Sequence, residues 1–181
     1  MKSLSMKTHS EIALSRLLII AILWALGCAT SNAQQTSRLQ ALYLFNFAKN
    51  TSWSASDADK PLTLVVVGDK AVAKDLKAIS KNKQVGGRPV EIAEMASAQG
   101  IQGADIVFLG GAKSAQIETL VSEQAANKVL IVSATEGQCA KGACIAFELN
   151  KGKFTYTISE ANIKSHGLSV SRVLITSGKA L

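Results

Sequence analysis

Two cysteines, Cys139 and Cys144, and one histidine beyond residue 33, His166, are the side chains here whose types most readily do chemistry. A thiol pair can form a disulfide, ligate a metal or act as a redox couple, and each use needs different company. A tetrahedral metal site takes four ligands, which two thiolates and one distant His166 do not complete. Redox catalysis typically separates its cysteines by two residues, whereas Ala140-Lys141-Gly142-Ala143 lie between these. A structural bridge is the favoured reading. Closing so short a loop contributes roughly 2 kcal/mol on an entropic count, enough to pin one turn. For acid–base work the inventory is thin. No serine sits in a nucleophile elbow, and Asp57 and Asp59 follow Trp53 in a loop without the apolar surroundings that raise a carboxyl pKa. His166 precedes Gly167, where a cationic ring complements a helix end. No catalytic set assembles, so neither an enzyme nor a cofactor or metal is expected.

Glycine-bearing turns give two further candidates. Gly68-Asp69-Lys70 follows an apolar run but lacks the spaced glycines of a dinucleotide fingerprint, so Asp69 reads as a helix N-cap. Gly86-Gly87-Arg88 reads as a turn, with Arg88 as an anion clamp in the alternative.

Something must position these residues, and composition bounds what. The chain has 181 residues, 48% hydrophobic and 18% charged, with 13 glycines and two prolines, which describes a globular protein and excludes collagen-like and disordered classes. Its net charge of +7 is too diffuse to imply nucleic acid. Residues 1–33 read as an export signal. Lys2, Lys7 and Arg16 precede an uncharged run from Leu17 to Ala29, and Ser31 and Ala33 supply the small residues of a cleavage site. That run is short of the roughly 20 residues a membrane anchor needs. Lipidation at Gly27-Cys28 is a third option, with Ala25 where a larger aliphatic residue is usual. The mature chain is expected to be one domain, 34–181, without stable membrane insertion, in an oxidising compartment that permits the Cys139–Cys144 bridge.

Leu62–Val67, Ile106–Leu109 and Val129–Val132 are nearly continuous apolar runs, the pattern of strands covered on both faces of a parallel sheet. Val72, Leu76 and Ile79, and later Ile117, Leu120, Val121 and Ala125, recur at helical spacing between them. Pro89–Ile92 adds a short strand. After Cys144 the period changes: Ile145, Phe147 and Leu149 alternate, Asn150-Lys151-Gly152 turns, and Phe154, Tyr156 and Ile158 alternate again. Residues 159–166 and 169–177 read as two closing helices. The fold class predicted is α/β: a three-layer, Rossmann-like, mostly parallel sheet flanked by helices, with a C-terminal antiparallel hairpin at one edge.

Two surface patterns remain. Lys70, Lys74, Lys77 and Lys81 line one face of a helix, a solvated face or a docking stripe for an acidic partner or anionic lipid headgroups. Tyr43, Phe45, Phe47 and Trp53 crowd eleven residues of an N-terminal helix that is apolar nearly all round; it packs on the sheet, and a second apolar stripe is left for a partner or a second copy of the chain.

The run Ala41-Leu42-Tyr43-Leu44-Phe45-Asn46-Phe47-Ala48-Lys49 with Trp53 resembles the opening of the YfiR-like family of exported regulators. Leu62–Gly68 with Asp69, Val85-Gly86-Gly87-Arg88-Pro89-Val90, Asp105–Leu109, Val129–Ser133, the Phe147 hairpin and Ser159–Leu174 follow in that family's order. The resemblance implies a non-enzymatic periplasmic protein that binds the periplasmic domain of an inner-membrane signalling protein, typically a diguanylate cyclase, and represses cyclic di-GMP synthesis. A small-ligand-binding sensor acting with a membrane sensor kinase is the alternative. Ser54 stands where the family commonly has proline, and an extra cysteine pair of some relatives is missing. Tyr43, Phe47, Lys49, Trp53, Arg88, His166 and Arg172 are the candidate partner- or ligand-binding residues.

Overall fold

The computed structural model describes residues 34–53, 59–150 and 153–181; the expected export signal, Cys28 and Asp57 lie outside them. The described residues divide into two units, 34–37 and Arg38–Leu181. In the first, residues 34–37 are helical, and Ser37 Oγ donates to the Gln34 carbonyl (3.0 Å).

The second unit is built on an eight-stranded, mostly parallel sheet flanked by helices. Helix α1 takes in residues 38–49 of this unit and is followed by β1 (Thr51–Ser52). Strand β2 (Leu62–Val67) leads through α2 (Lys70–Ser80) to β3 (Gln84–Val85) and β4 (Arg88–Met95). Strand β5 (Ile106–Leu109), a 3-10 turn at Gly111–Gln116, α3 (Ile117–Glu123) and β6 (Leu130–Ser133) follow. The chain closes with β7 (Ile145–Asn150), β8 (Lys153–Ile158), α4 (Glu160–Ser165), β9 (Ser169–Val170), α5 (Arg172–Ser177) and β10 (Lys179–Ala180).

The strand order is β10-β8-β7-β6-β5-β2-β4-β3, with β4, β2, β5, β6 and β7 mutually parallel along the row. The chain therefore runs outward from β2 to β4, crosses back to β5, and continues to β6 and β7, so the winding reverses between β2 and β5. Strands β5 and β6 are buried at every residue, which is why their sequences show no alternation. Asp69 caps α2 as its sequence position predicts, its Oδ1 accepting from the Val72 amide at 3.0 Å. Gly86 and Gly87, at φ +59° and +84°, make the two-residue turn between β3 and β4, a conformation open to glycine at both positions.

Four local expectations need correction. The third apolar strand is Leu130–Ser133 rather than Val129–Val132, because Val129 is held in a turn by the Asn127 carbonyl (3.0 Å). Strand β4 runs on to Met95, three residues past the expected end, following β2 in register to Val67. The hairpin β7–β8 is not outermost, since β10 adds parallel to β8. Residues 169–177 are not one helix: Ser169 and Val170 pair antiparallel with Ser52 and Thr51, and this β1–β9 ladder delays helix α5 to Arg172.

Candidate functional site

Helix α1 turns its aromatic residues inward. Phe47 is fully buried, with its ring centroid 4.9 Å from Tyr156 and 5.8 Å from Phe147. Half-buried Tyr43 meets Phe147, Phe154 and Tyr156 at 5.7–5.9 Å. Those three partners occupy one face of the hairpin because Phe147 is paired with Tyr156 and Leu149 with Phe154. The seam gives α1 a fixed seat, each ring pair adding about 0.5–1.5 kcal/mol beyond area burial. Phe47 is thus a core residue, and the expectation that it contacts a partner is corrected.

Two other sequence candidates are also internal. Arg88 is only 4% exposed. Its Nη1 and Nη2 donate to Asp105 Oδ1 and Oδ2 (3.0 and 2.8 Å), Nη2 also reaches the Pro61 carbonyl (2.8 Å), and Nε reaches that of Lys60 (2.9 Å). Asp105 Oδ2 in turn accepts from the Thr63 amide (2.8 Å). The guanidinium therefore clamps the starts of β2, β4 and β5 and does not serve as an anion clamp. His166 is buried at the end of α4, with Nδ1 3.1 Å from the Asn127 carbonyl. Gly167, at φ +65°, and Leu168 close that helix with bonds to the Lys164 and Ile163 carbonyls. His166 joins α4 to the loop before β6 rather than facing a partner.

The remaining candidates come together at the surface. The Ser171 amide donates to the Asn50 carbonyl (2.8 Å) and Ser171 Oγ to Asn50 Oδ1 (2.9 Å). Exposed Lys49 and Arg172 flank this bonded pair in the chain. Trp53, one residue past β1, folds back so that Nε1 donates to the Ala48 carbonyl (3.0 Å), leaving the ring half-exposed. Val173, 61% exposed, follows Arg172 on α5. The end of α1, the β1–β9 ladder and the start of α5 thus form a clasp bearing two cations, an indole and an apolar side chain. Sequence spacing carried no sign of it, since β1 and β9 are two residues each and their paired residues lie 119 (Thr51 to Val170) and 117 (Ser52 to Ser169) positions apart.

Cys139 and Cys144 are free, buried thiols in this structure, so the expected bridge is not formed in it. They belong to one corner: Asn162 Nδ2 donates to the carbonyls of Cys139 and Ala143, both at 2.8 Å, and Cys139 Sγ lies 3.6 Å from the Thr157 carbonyl. Burial pushes the Cys139 thiol up to about 11, helped by nearby Glu148, and the Cys144 thiol up to about 12. Both are protonated and unreactive at neutral pH. Among the described residues no His, Cys, Asp and Glu cluster can hold a metal ion, and no helix is long and apolar enough to cross a membrane.

A sequence profile described as YfiR/HmsC-like matches residues 37–178. No curated protein matches the chain. Among solved structures it is similar to a conserved domain protein of Vibrio cholerae O1 biovar El Tor, at 14% identity and a TM-score of 0.44, covering 65% of this chain and 54% of that one. The chain thus spans about half the length of that protein.

Proposed function

The chain belongs to the YfiR/HmsC-like family, and on that footing we propose that it is a non-enzymatic periplasmic regulator in cyclic di-GMP signalling. It binds the periplasmic domain of an inner-membrane signalling protein, a diguanylate cyclase, and holds it inactive. The observation that carries this reading is the family match over residues 37–178. The order of the sheet, wound outward in both directions from β2, supports reading the scaffold as Rossmann-like.

The clasp of Lys49, Trp53, Arg172 and Val173 is the docking face in this reading. Its chemistry suits a protein partner: arginine and tryptophan are the residue types that dominate binding hot spots. The aromatic seam beneath gives that face a rigid base, so docking costs little ordering of α1. We further propose that Cys139 and Cys144, free thiols in this structure, join on export and pin the turn before β7.

Deleting the gene in cells that express a candidate cyclase, and measuring cyclic di-GMP, tests the proposal. A rise on deletion, reversed by restoring the gene, is the expected result. Unchanged cyclic di-GMP with every inner-membrane cyclase in turn would overturn it.

A further inference from the structure

We propose that the crevice at the carboxyl ends of β2 and β4 binds a small apolar molecule carrying one oxyanion, with Lys70 and Lys113 holding the charge. In open α/β sheets, ligands bind outside the carboxyl ends of the strands where the winding reverses; here it reverses between β2 and β5, and the segments that follow these two strands give the crevice Gly68 and Lys113. The crevice encloses about 420 Å³, within the size range of small-molecule sites. Val66, Met95 and Ala96 give it an apolar wall, and Lys70 and Lys113 stand on its rim.

Charge decides the ligand class. Two carboxylates also line the crevice, and only Glu94 is paired with a cation. Asp69 Oδ1 accepts from the Val72 amide at 3.0 Å, and Glu94 Oε1 pairs with Lys77 Nζ at 2.6 Å. The ion pairs Lys77–Glu94, Arg88–Asp105, Lys141–Glu118 and Lys164–Glu160 include neither Lys70 nor Lys113. The cap bond leaves the Asp69 charge in place while Lys77 offsets Glu94, so two ammonium groups against one unpaired carboxylate leave the crevice an excess of one positive charge beside its apolar wall, which favours a ligand with one charged end and a hydrocarbon or aromatic body. The α2 N-terminus plays no part, since Asp69 already occupies it.

Gly68 explains how Lys113 comes to be there. This glycine has φ +72°, and a Cβ built on it would overlap Lys113 Cγ and stand 3.2 Å and 3.4 Å from Cε and Cδ. The aliphatic stem of Lys113 thus lies along the bare backbone at the end of β2, across the mouth of the crevice. A stem laid on backbone has lost much of its freedom before a ligand arrives, which lowers the ordering cost of binding.

The site is independent of the docking face. The test uses 1-anilinonaphthalene-8-sulfonate, an aromatic body with one oxyanion, and its uncharged analogue N-phenyl-1-naphthylamine, with fluorescence titration and amide chemical shifts as readouts. The sulfonate probe is expected to saturate at one per chain and to move the amides of Gly68, Met95 and Gly110. The double variant Lys70→Gln, Lys113→Gln is expected to bind it at least tenfold more weakly, and the uncharged probe to bind the natural chain at least tenfold more weakly. Lys70 is exposed and Lys113 half-buried, and an unchanged melting temperature verifies that the variant keeps its fold. No saturable binding, equal affinity for the two probes, unchanged affinity in the variant, or shifts confined to the exposed residues Leu149 and Val173 would each overturn the proposal. Loss of probe binding with cyclic di-GMP repression intact separates this site from the docking reading.

Discussion

Ser171 and Asn50 bond twice across 121 residues of chain, main chain to main chain at 2.8 Å and side chain to side chain at 2.9 Å. Asn50 is itself held by its Nδ2, which donates to the Asn46 carbonyl and Oδ1 at 3.0 Å. The asparagine therefore couples the last turn of α1 to the first residue before α5. Asn50→Ala removes the side-chain half of that link, and a net loss of about 1 kcal/mol is expected in urea denaturation. Hydrogen exchange at the β1 and β9 amides should speed up more than at β5 and β6, because the ladder is only two residues long. Uniform acceleration across the sheet would show that the link is not local.

The same link sets Lys49 and Arg172 on either side of one bonded pair. In Lys49→Glu, Arg172→Glu, capture of a cyclase's periplasmic domain is expected to weaken at least tenfold while thermal stability changes by less than about 0.5 kcal/mol, the usual bound for surface substitutions. Lys81→Glu, an exposed change at the residue that caps the end of α2, serves as the control and should leave capture intact. Equal capture by both variants would move the docking face off the clasp.

The β-rich middle was legible because fully buried strands write themselves as unbroken apolar runs, and Leu62–Val67 and Ile106–Leu109 coincide with β2 and β5 residue for residue. The hairpin was legible for the opposite reason, its alternation matching the pairing of Phe147 with Tyr156. Contacts between distant two-residue strands leave no periodicity, so β1 with β9 and the terminal β10 had no signal. Arg88 illustrates a second limit. Its type suggested anion binding, and only the fold reveals that its anion is Asp105, seventeen residues away. Tyr43 and Phe47 were seen as a dense aromatic cluster, but which way a helix apolar nearly all round turns is decided by the rings waiting on the hairpin.

Arg88 and Asp105 supply a stability prediction. Their side chains are 5% and 15% exposed and meet in a two-pronged pair. Arg88→Met removes the guanidinium from Asp105 and the donors that Arg88 gives to the Lys60 and Pro61 carbonyls, so a cost of about 3–5 kcal/mol is expected in chemical denaturation. Arg88→Lys keeps the charge but not the fork and should recover only part of the loss. A cost below about 1 kcal/mol for Arg88→Met would mean that the pair does not hold the strand starts together.

Gly178 is small because of Tyr156. A Cβ at Gly178 would stand 2.8 Å from Tyr156 Cδ2 and 3.0 Å from Cζ, while its φ of −102° suits any residue. Tyr156 cannot swing clear, because its hydroxyl donates to the Leu174 carbonyl at 2.7 Å and its ring is wedged in the aromatic seam. Gly178→Ala is therefore expected to cost about 1–3 kcal/mol by overpacking, with no backbone contribution. In Tyr156→Leu the clash is relieved, so adding Gly178→Ala to that background should cost clearly less than it does alone. Strict additivity in this double-mutant cycle would rule out the ring as the cause.

The thiol corner makes the protein's alkaline stability depend on its redox state. Cys139 and Cys144 ionise at about 11 and 12 in the folded chain, raised by burial from an ordinary value of 9.0. Below pH 9 folded and unfolded chains both keep these protons. Above it the unfolded chain releases them first and binds fewer protons than the folded one, so stability falls as pH rises from 9 toward 11–12. Each thiol contributes at most about 1.4 kcal/mol per pH unit to that slope. Tyr156, raised by burial from 10.0 to about 12, adds to the decline only above pH 10. Bridging the cysteines removes both thiols from the titration and leaves the tyrosine. Denaturant midpoints of the reduced chain are thus expected to fall steeply above pH 9, and those of chain exported to an oxidising compartment, two hydrogens lighter by mass spectrometry, to stay flat until about pH 10. Identical alkaline profiles for the two preparations would show that burial does not hold the protons on these sulfurs, and an exported chain of unchanged mass would show that the bridge does not form.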